Sequence, residues 1–344
     1  MRRIGVGMIG CGFWATQMHL PSFCSIPEAR LVAVADSVEQ AAADAARRFG
    51  AERYYSNYRQ ILEDPEVDLV DICTPNDLHA SVAIEAAEAG KHIICIKPLG
   101  RTIEEAQAMV TAADKAGVLL MYAENVLFIP ALTRAKEIIN SGGIGDVFRV
   151  KACEGTPGPH RRWFLDKDKT GGGCVIDMAV HSLSFCRWVA DSPVERIYAE
   201  IGTFVHSIPA EDTSVVTLRF KNGVIGQAED SWSLVGAMDS RFEIFGTKGR
   251  ILVDNLYSHP LRVFSDSGYA LGEANVARGW SHPMPLDGSI LDGHLAMLRH
   301  FVQCAMKGEA PLQSGRDGLE IMRLVCAAYE SARSGRAVSL TDFE

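Results

Sequence analysis

In RLVAVAD (30–36), VDLVDIC (67–73) and KHIICIK (91–97) a short apolar run leads each time into a helical pattern, and those helices stop at Gly50, Gly90 and Gly117. Glycine reaches the left-handed backbone that ends a helix at little steric cost. Strands separated by whole helices cannot pair as tight hairpins. They need crossovers, which lay the strands parallel with helices over both faces of the sheet. IGVGMI (4–9) starts the series and VLLMYAE (118–124) ends it. Thr102, with Glu105 three residues on, makes a capping box for the last helix of the series. Residues 1–123 are therefore expected to form one α/β domain around a parallel sheet.

Near residue 124 the rhythm changes. A helix at about 130–141 leads to GDVFRVKACEG, a Gly/Pro-rich loop and a helix at about 175–189. Alternating runs follow: TSVVTLRF, GVIGQAED, SRFEIFGT, GRILVDN and LRVFSD, separated by turn signals such as KNG. This pattern predicts a large, mostly antiparallel sheet. Helices at about 290–307 and 315–334 close the chain. A length of 344 residues suits two domains, and 124–344 is expected to be an α+β domain. The runs 155–173 and 266–289 are long irregular loops, a common place for function.

The formal net charge of -9 disfavours a nucleic-acid or anionic-membrane partner, both of which need basic surface. Nine cysteines lie scattered at 11, 24, 73, 95, 153, 174, 186, 304 and 326, with no Cys-x-x-Cys pair. That usage fits a reduced, cytoplasmic compartment. The opening MRRIGVGMIGCG is not read as a leader, because its apolar run is short and ends in a glycine turn. No stretch approaches the length of a membrane span.

Gly10-Cys11-Gly12-Phe13-Trp14-Ala15 follows the first strand and opens the first helix, fitting G-x-G-x-x-G/A. Gly10 permits the tight turn, Gly12 lets a pyrophosphate reach the backbone, and Ala15 allows close helix–strand packing. Asp36 ends the second strand, 21 residues past Ala15. A carboxylate there can bind both ribose hydroxyls of NAD and repels a 2′-phosphate; the plain alternative is a helix N-cap. CTPNDLHA (73–80) lies at the end of the third strand in the series, on the edge where open α/β sheets bind ligands. The candidate cofactor contacts are Gly10, Gly12, Phe13, Trp14, Asp36, Thr74, Pro75, Asn76 and His79. Asn76 can also cap the following helix. Lys97 ends the next strand on the same edge, so its charge either points into the cofactor crevice or escapes to solvent.

In TGGGCVIDMAVHSLSF (170–185) Asp177 and His181 are spaced i, i+4 on an otherwise apolar helix. A carboxylate beside an imidazole fixes its tautomer and raises its basicity. A satisfied core pair is the bland reading, and no third ligand at a recognised spacing supports a metal. The loop 156–173 offers His160, Arg161, Arg162 and Trp163, which suit a sugar ring and its hydroxyls, or a surface loop with a Trp anchor. Tyr122, Glu124 and Asn125 end the fifth strand of the series on the ligand edge. Trp280 and His282 are weaker candidates for substrate or for a subunit contact.

Taken together, GCGFWA, TPNDLHA, KPLG, GGGCVIDMAVH, FGTKGRILVD and GLEIMRLVCAAYESARSGRAV resemble the Gfo/Idh/MocA family of NAD(P)-dependent oxidoreductases over nearly the whole chain. That family includes glucose–fructose oxidoreductase and inositol 2-dehydrogenase. The resemblance implies a Rossmann domain plus an α+β domain whose open-faced sheet often serves oligomerisation. It also implies catalytic roles for Lys97, from the family's Glu-Lys-Pro motif, and for Asp177 and His181. The chain departs from the motif at Ile96, where Glu is usual.

Oxidising a secondary alcohol needs a hydride acceptor, a proton acceptor and stabilisation of the developing alkoxide. NAD supplies the first. His181, oriented by Asp177, is the preferred base over Lys97, which would hold the hydroxyl and stabilise negative oxygen. Glu124, Asn125, Arg162 and Trp163 are the candidate substrate contacts. The expected function is an NAD-dependent dehydrogenase of a sugar, inositol or related polyol, acting as a homo-oligomer. Two alternatives stand beside it: a glycosidase or lyase that oxidises its sugar transiently, and a nucleotide-sensing protein without catalysis.

Overall fold

The computed structural model describes residues 3–159, 161–256, 259–283 and 290–343. The chain falls into two compact units. The first runs to Asn125 and also takes in Lys169–Gly171 and His294–Met322; the second holds Val126–Asp168, Gly172–Gly293 and the chain from Arg323 on.

The first unit is built on six parallel strands: β1 (Ile4–Ile9), β2 (Ala29–Ala35), β3 (Arg53–Tyr55), β4 (Leu69–Ile72), β5 (His92–Ile96) and β6 (Leu120–Ala123). Their order is β3-β2-β1-β4-β5-β6. All residues of β1 and β4 are buried, as both faces of a covered parallel sheet require. The chain winds outward from β1 on one side and from β4 on the other, so the switch point lies between their C-terminal ends. β3 is absent from the sequence reading because RYY is a short edge strand with no residue fully buried. Helix Ile103–Ala116 begins as expected, with Thr102 accepting from the Glu105 N–H and Gly117 closing it at φ 68°.

The first helix is less regular than its pattern suggests. It opens as a π turn, Ala15–His19, before the short α-helical stretch Leu20–Cys24. Pro21 lies in the first turn of that stretch and has no N–H to donate to the turn before it. The distant segment His294–Met322 joins this unit for a packing reason. Tyr122 N donates to Gln313 O at 3.1 Å, and a Cβ on Gly318 would stand 2.9–3.0 Å from atoms of Leu99 and Tyr122. Only glycine lets the helix Gly315–Ser334 approach so closely.

The second unit carries a nine-stranded sheet. Its strands are β7 (Val147–Gly155), β8 (Val194–Gly202), β9 (Thr213–Phe220), β10 (Ile225–Ser231), β11 (Asp239–Gly246), β12 (Gly249–Asp254) and β13 (Leu261–Ser265). A two-stranded ribbon of β14 (Tyr269–Leu271) and β15 (Ala274–Val276) follows, then β16 (Gly279–Ser281) and β17 (Val338–Ser339). The large sheet runs β16-β13-β12-β11-β7-β10-β9-β8-β17, antiparallel except for β7 with β10. Burial alternates along β9 and β11, as in a sheet with one covered face. The helix Val180–Ala190 packs on β7 and β10, with Phe185 against Phe242 at 4.5 Å. On the other face Phe148, Tyr198, Val215 and Ile225 stand exposed.

Candidate active site

The turn after β1 is fixed by contact. Gly10 has φ 94°, and a Cβ there would lie 2.5 Å from Cys73 O at the end of β4. No other residue fits that corner. Gly12 is exposed, and a Cβ on it would meet nothing within 4 Å, so this part of the turn opens outward. Ala15 is fully buried and Phe13 is 40% exposed, its ring edge-on to Trp14.

Asp36 is tied to this turn. Its Oδ2 accepts from Cys11 N and its Oδ1 from Val38 N, each at 2.9 Å. It is not the helix cap considered above, since Glu39–Phe49 is preceded by Val38 in that position. Each carboxylate oxygen accepts more than one hydrogen bond, so the carboxylate keeps capacity for ribose hydroxyls. Across the switch point, Thr74 Oγ1 is buried with no hydrogen-bond partner among the described residues. An open glycine turn, a carboxylate beside it and an orphaned hydroxyl opposite are what a dinucleotide needs, so these residues fit NAD.

Asn76 and His79, on the same edge, are both bonded to backbone carbonyls. The Asn76 amide donates to Thr170 O at 3.0 Å, and no side chain caps the short helix Asn76–Leu78. The His79 ring is fully enclosed, its nitrogens 2.8 Å from Pro98 O and 3.0 Å from Thr74 O. Burial pushes its pKa below the usual imidazole value against the pull of those carbonyls. The ring lies between the loops after β4 and β5, and in its neutral form one of its nitrogens donates to a carbonyl there. Lys97 sits directly before Pro98, half-buried, with a cis peptide between them. Ile96 ends β5 opposite Ala123 and offers no acceptor to a ribose. Glu124 and Asn125, after β6, are both buried.

In the second unit Asp177 and His181 lie on the expected helix, but its first turn, Val175–Ala179, is π rather than α. π turns recur at functional sites. Glu211 anchors the start of this helix: its Oε1 accepts from Gly173 N at 2.9 Å, Val175 N at 3.0 Å and the Tyr329 hydroxyl at 2.7 Å. A carboxylate there also complements the helix dipole. Asp177 is buried and its Oδ2 accepts from the Trp232 indole N–H at 2.9 Å. His181 is half-buried one turn on. Trp163 stacks on Phe164 at 4.0 Å, while Arg161 and Arg162 are exposed. His160 lies outside the described residues. Trp280 is 51% exposed on β16 beneath the Arg250 guanidinium, and His282 is exposed.

Beneath the same helix, Asp230 on β10 accepts from Ser182 Oγ at 2.7 Å. Burial pushes its carboxyl up to about 8, and the Glu229 charge adds to this. The native chain then holds a proton that the unfolded chain releases near the ordinary value of 3.8, so stability falls as pH rises from about 4 to about 8. Asp230→Asn carries no such penalty. Its Tm should gain on that of the natural protein between pH 5 and 8 in thermal melts; parallel curves would show that Asp230 is ionised throughout.

Residues 4–124 match the model of the Gfo/Idh/MocA oxidoreductase family with its NAD-binding Rossmann fold, and residues 132–252 match that of the Gfo/Idh/MocA C-terminal domain. The chain belongs to the Gfo/Idh/MocA family. It is 30% identical to myo-inositol 2-dehydrogenase of Thermotoga maritima over 98% of each chain. With levoglucosan dehydrogenase of Pseudarthrobacter phenanthrenivorans it shares 32% identity, covering 96% of this chain and 97% of the relative. A solved levoglucosan dehydrogenase in complex with NADH and L-sorbose superimposes with a TM-score of 0.90 at 29% identity, over 99% of each chain. As a member of this family the chain is an oxidoreductase with an NAD-binding Rossmann unit.

Sequence reasoning missed Glu211 and Trp232, and also a buried pair, His19 Nδ1 with Asp71 Oδ2 at 2.7 Å, behind the glycine turn. The only local signal was an Asp inside the apolar strand LVDI, a position rarely charged without a partner.

Proposed function

We propose that this protein is an NAD-dependent dehydrogenase that oxidises a secondary alcohol of a cyclic sugar or cyclitol. The full-length likeness to a sugar dehydrogenase carries the reading. NAD, when bound, accepts the hydride from the alcohol carbon. Gly10 and Gly12 would let its pyrophosphate reach the backbone, with Phe13, Trp14, Thr74 and Pro75 around it, and Asp36 would hold the adenine-side ribose. His181 takes the hydroxyl proton and Asp177 orients its ring. Lys97 stabilises the negative charge growing on that oxygen. Glu124, Asn125, Arg162 and Trp163 are assigned to the substrate, the aromatic face to the ring and the polar groups to its hydroxyls.

A homo-oligomer belongs to the same reading, supported by the exposed Phe148, Tyr198, Val215 and Ile225 on one sheet face. A cytoplasmic setting is supported by nine free cysteines. Among the described residues no helix is long and apolar enough to cross a membrane.

The test is a panel of cyclitols, aldoses and anhydrosugars with NAD, followed by NADH absorbance. Net NADH from at least one cyclic polyol is expected. Modified sugar without net NADH would replace the dehydrogenase with a lyase that oxidises transiently. A panel with no chemistry at all would overturn the enzyme reading.

A further inference from the structure

The Asp177 carboxylate is held by an indole whose own position is fixed from three directions. Trp232 is fully buried just beyond β10, and its Nε1–H donates to Asp177 Oδ2 at 2.9 Å. Its backbone N donates to Asp212 O at 2.7 Å, and its carbonyl accepts from His206 Nε2 at 2.9 Å. The Phe164 ring stands edge-on to the indole at 6.2 Å, with Trp163 stacked on Phe164. An indole N–H donates and never accepts, and it does not give up its proton in the physiological range. It therefore fixes which carboxylate oxygen is committed, without competing as an acid or base. A buried carboxylate oxygen deprived of its donor either reorients or draws a proton. A buried Trp whose N–H found only a backbone carbonyl would be ordinary packing. Here the acceptor is the one carboxylate assigned to the reaction.

We propose that Trp232 is a positioning residue for the Asp177–His181 pair. Its indole N–H sets the orientation of the Asp177 carboxylate, and Phe164 with Trp163 braces the indole from the loop that carries the substrate candidates. This rests on the catalytic assignment of Asp177 above. The consequence is that the loop and the base are mechanically joined within one unit. A change in how Trp163 and Phe164 pack is felt at Asp177 through a single indole.

A double-mutant cycle tests it, using the panel substrate of highest kcat/KM. Trp232→Phe keeps an aromatic ring against Phe164 and removes the N–H. It should lower kcat about 10-fold, the scale of a lost hydrogen bond to a charged group, with KM and NADH affinity by calorimetric titration within about 2-fold. In an Asp177→Ala background the same substitution should change kcat by less than about 2-fold, because the group it positions is gone. An equal loss in both backgrounds, or no loss in the first, overturns the positioning role while leaving the catalytic assignment standing. A natural kcat in Asp177→Ala alone would instead remove that assignment. Should Trp232→Phe fail to melt cooperatively, β-(3-benzothienyl)alanine at 232 fills the indole's space with sulfur in place of N–H. The two kcat comparisons are then read on that variant in the same way.

Discussion

Replacing His181 by alanine, or Lys97 by methionine, is expected to lower kcat by about 100-fold or more while NADH affinity stays near that of the natural protein. A general base contributes on that scale, and a group stabilising charge only in the transition state lowers kcat without weakening substrate or cofactor. The two substitutions probe different units. His181 follows the π turn Val175–Ala179, whereas Lys97 follows β5 and precedes the Pro98 carbonyl that His79 holds. Steady-state kinetics on the best panel substrate, with calorimetric titration of NADH, separates loss of chemistry from loss of cofactor. Full activity in both variants would withdraw the catalytic assignment.

Preference for NAD over NADP is the second large effect. A 2′-phosphate about 4 Å from the Asp36 carboxylate is opposed by on the order of 1–4 kcal/mol, between bulk-water and near-surface dielectrics. The structure refines what Asp36→Ala should do. The same carboxylate accepts from Cys11 N inside the glycine turn and from Val38 N beyond β2. Removing it therefore lifts the repulsion and also loosens the turn. The ratio of kcat/KM for NAD to that for NADP should fall by at least about 10-fold, chiefly through poorer use of NAD. Equal kinetics with both cofactors in the natural protein would contradict the role given to Asp36.

The periodicity of the chain made most of this fold legible. IGVGMI is a strand over the same six residues in the structure, and Gly50 and Gly117 end their helices in the left-handed conformation expected of them. The strand Val194–Gly202 is absent from the sequence reading, and the run 266–289, expected there as an irregular loop, holds the short strands β14, β15 and β16. Two further misses have plain physical causes. β3 is too short and too exposed to carry a pattern. Trp232 and Glu211 act on partners 55 and 38 residues away, and no local spacing encodes such a pair. The site was legible to the level of sheet edge and helix face, but not to the direction of a side chain. The motif places His79 on the sheet edge, but that its ring nitrogens face the Pro98 and Thr74 carbonyls is not readable from it.

Two helices that bear on function, those beginning at Ala15 and Val175, share an opening turn one residue wider than an α-helix would use. Dropping one residue from Val175–Ala179 would let the backbone close into the commoner and better-bonded helix. Five residues of a π turn and four of an α turn each sweep about one revolution, so the helix beyond would stay nearly in phase with the chain before it. What would be lost is the widened turn itself, where Asp177 sits. In evolutionary terms the setting of that carboxylate is written partly in chain length: side chains around it can drift one at a time, but the turn is gained or lost with a single residue.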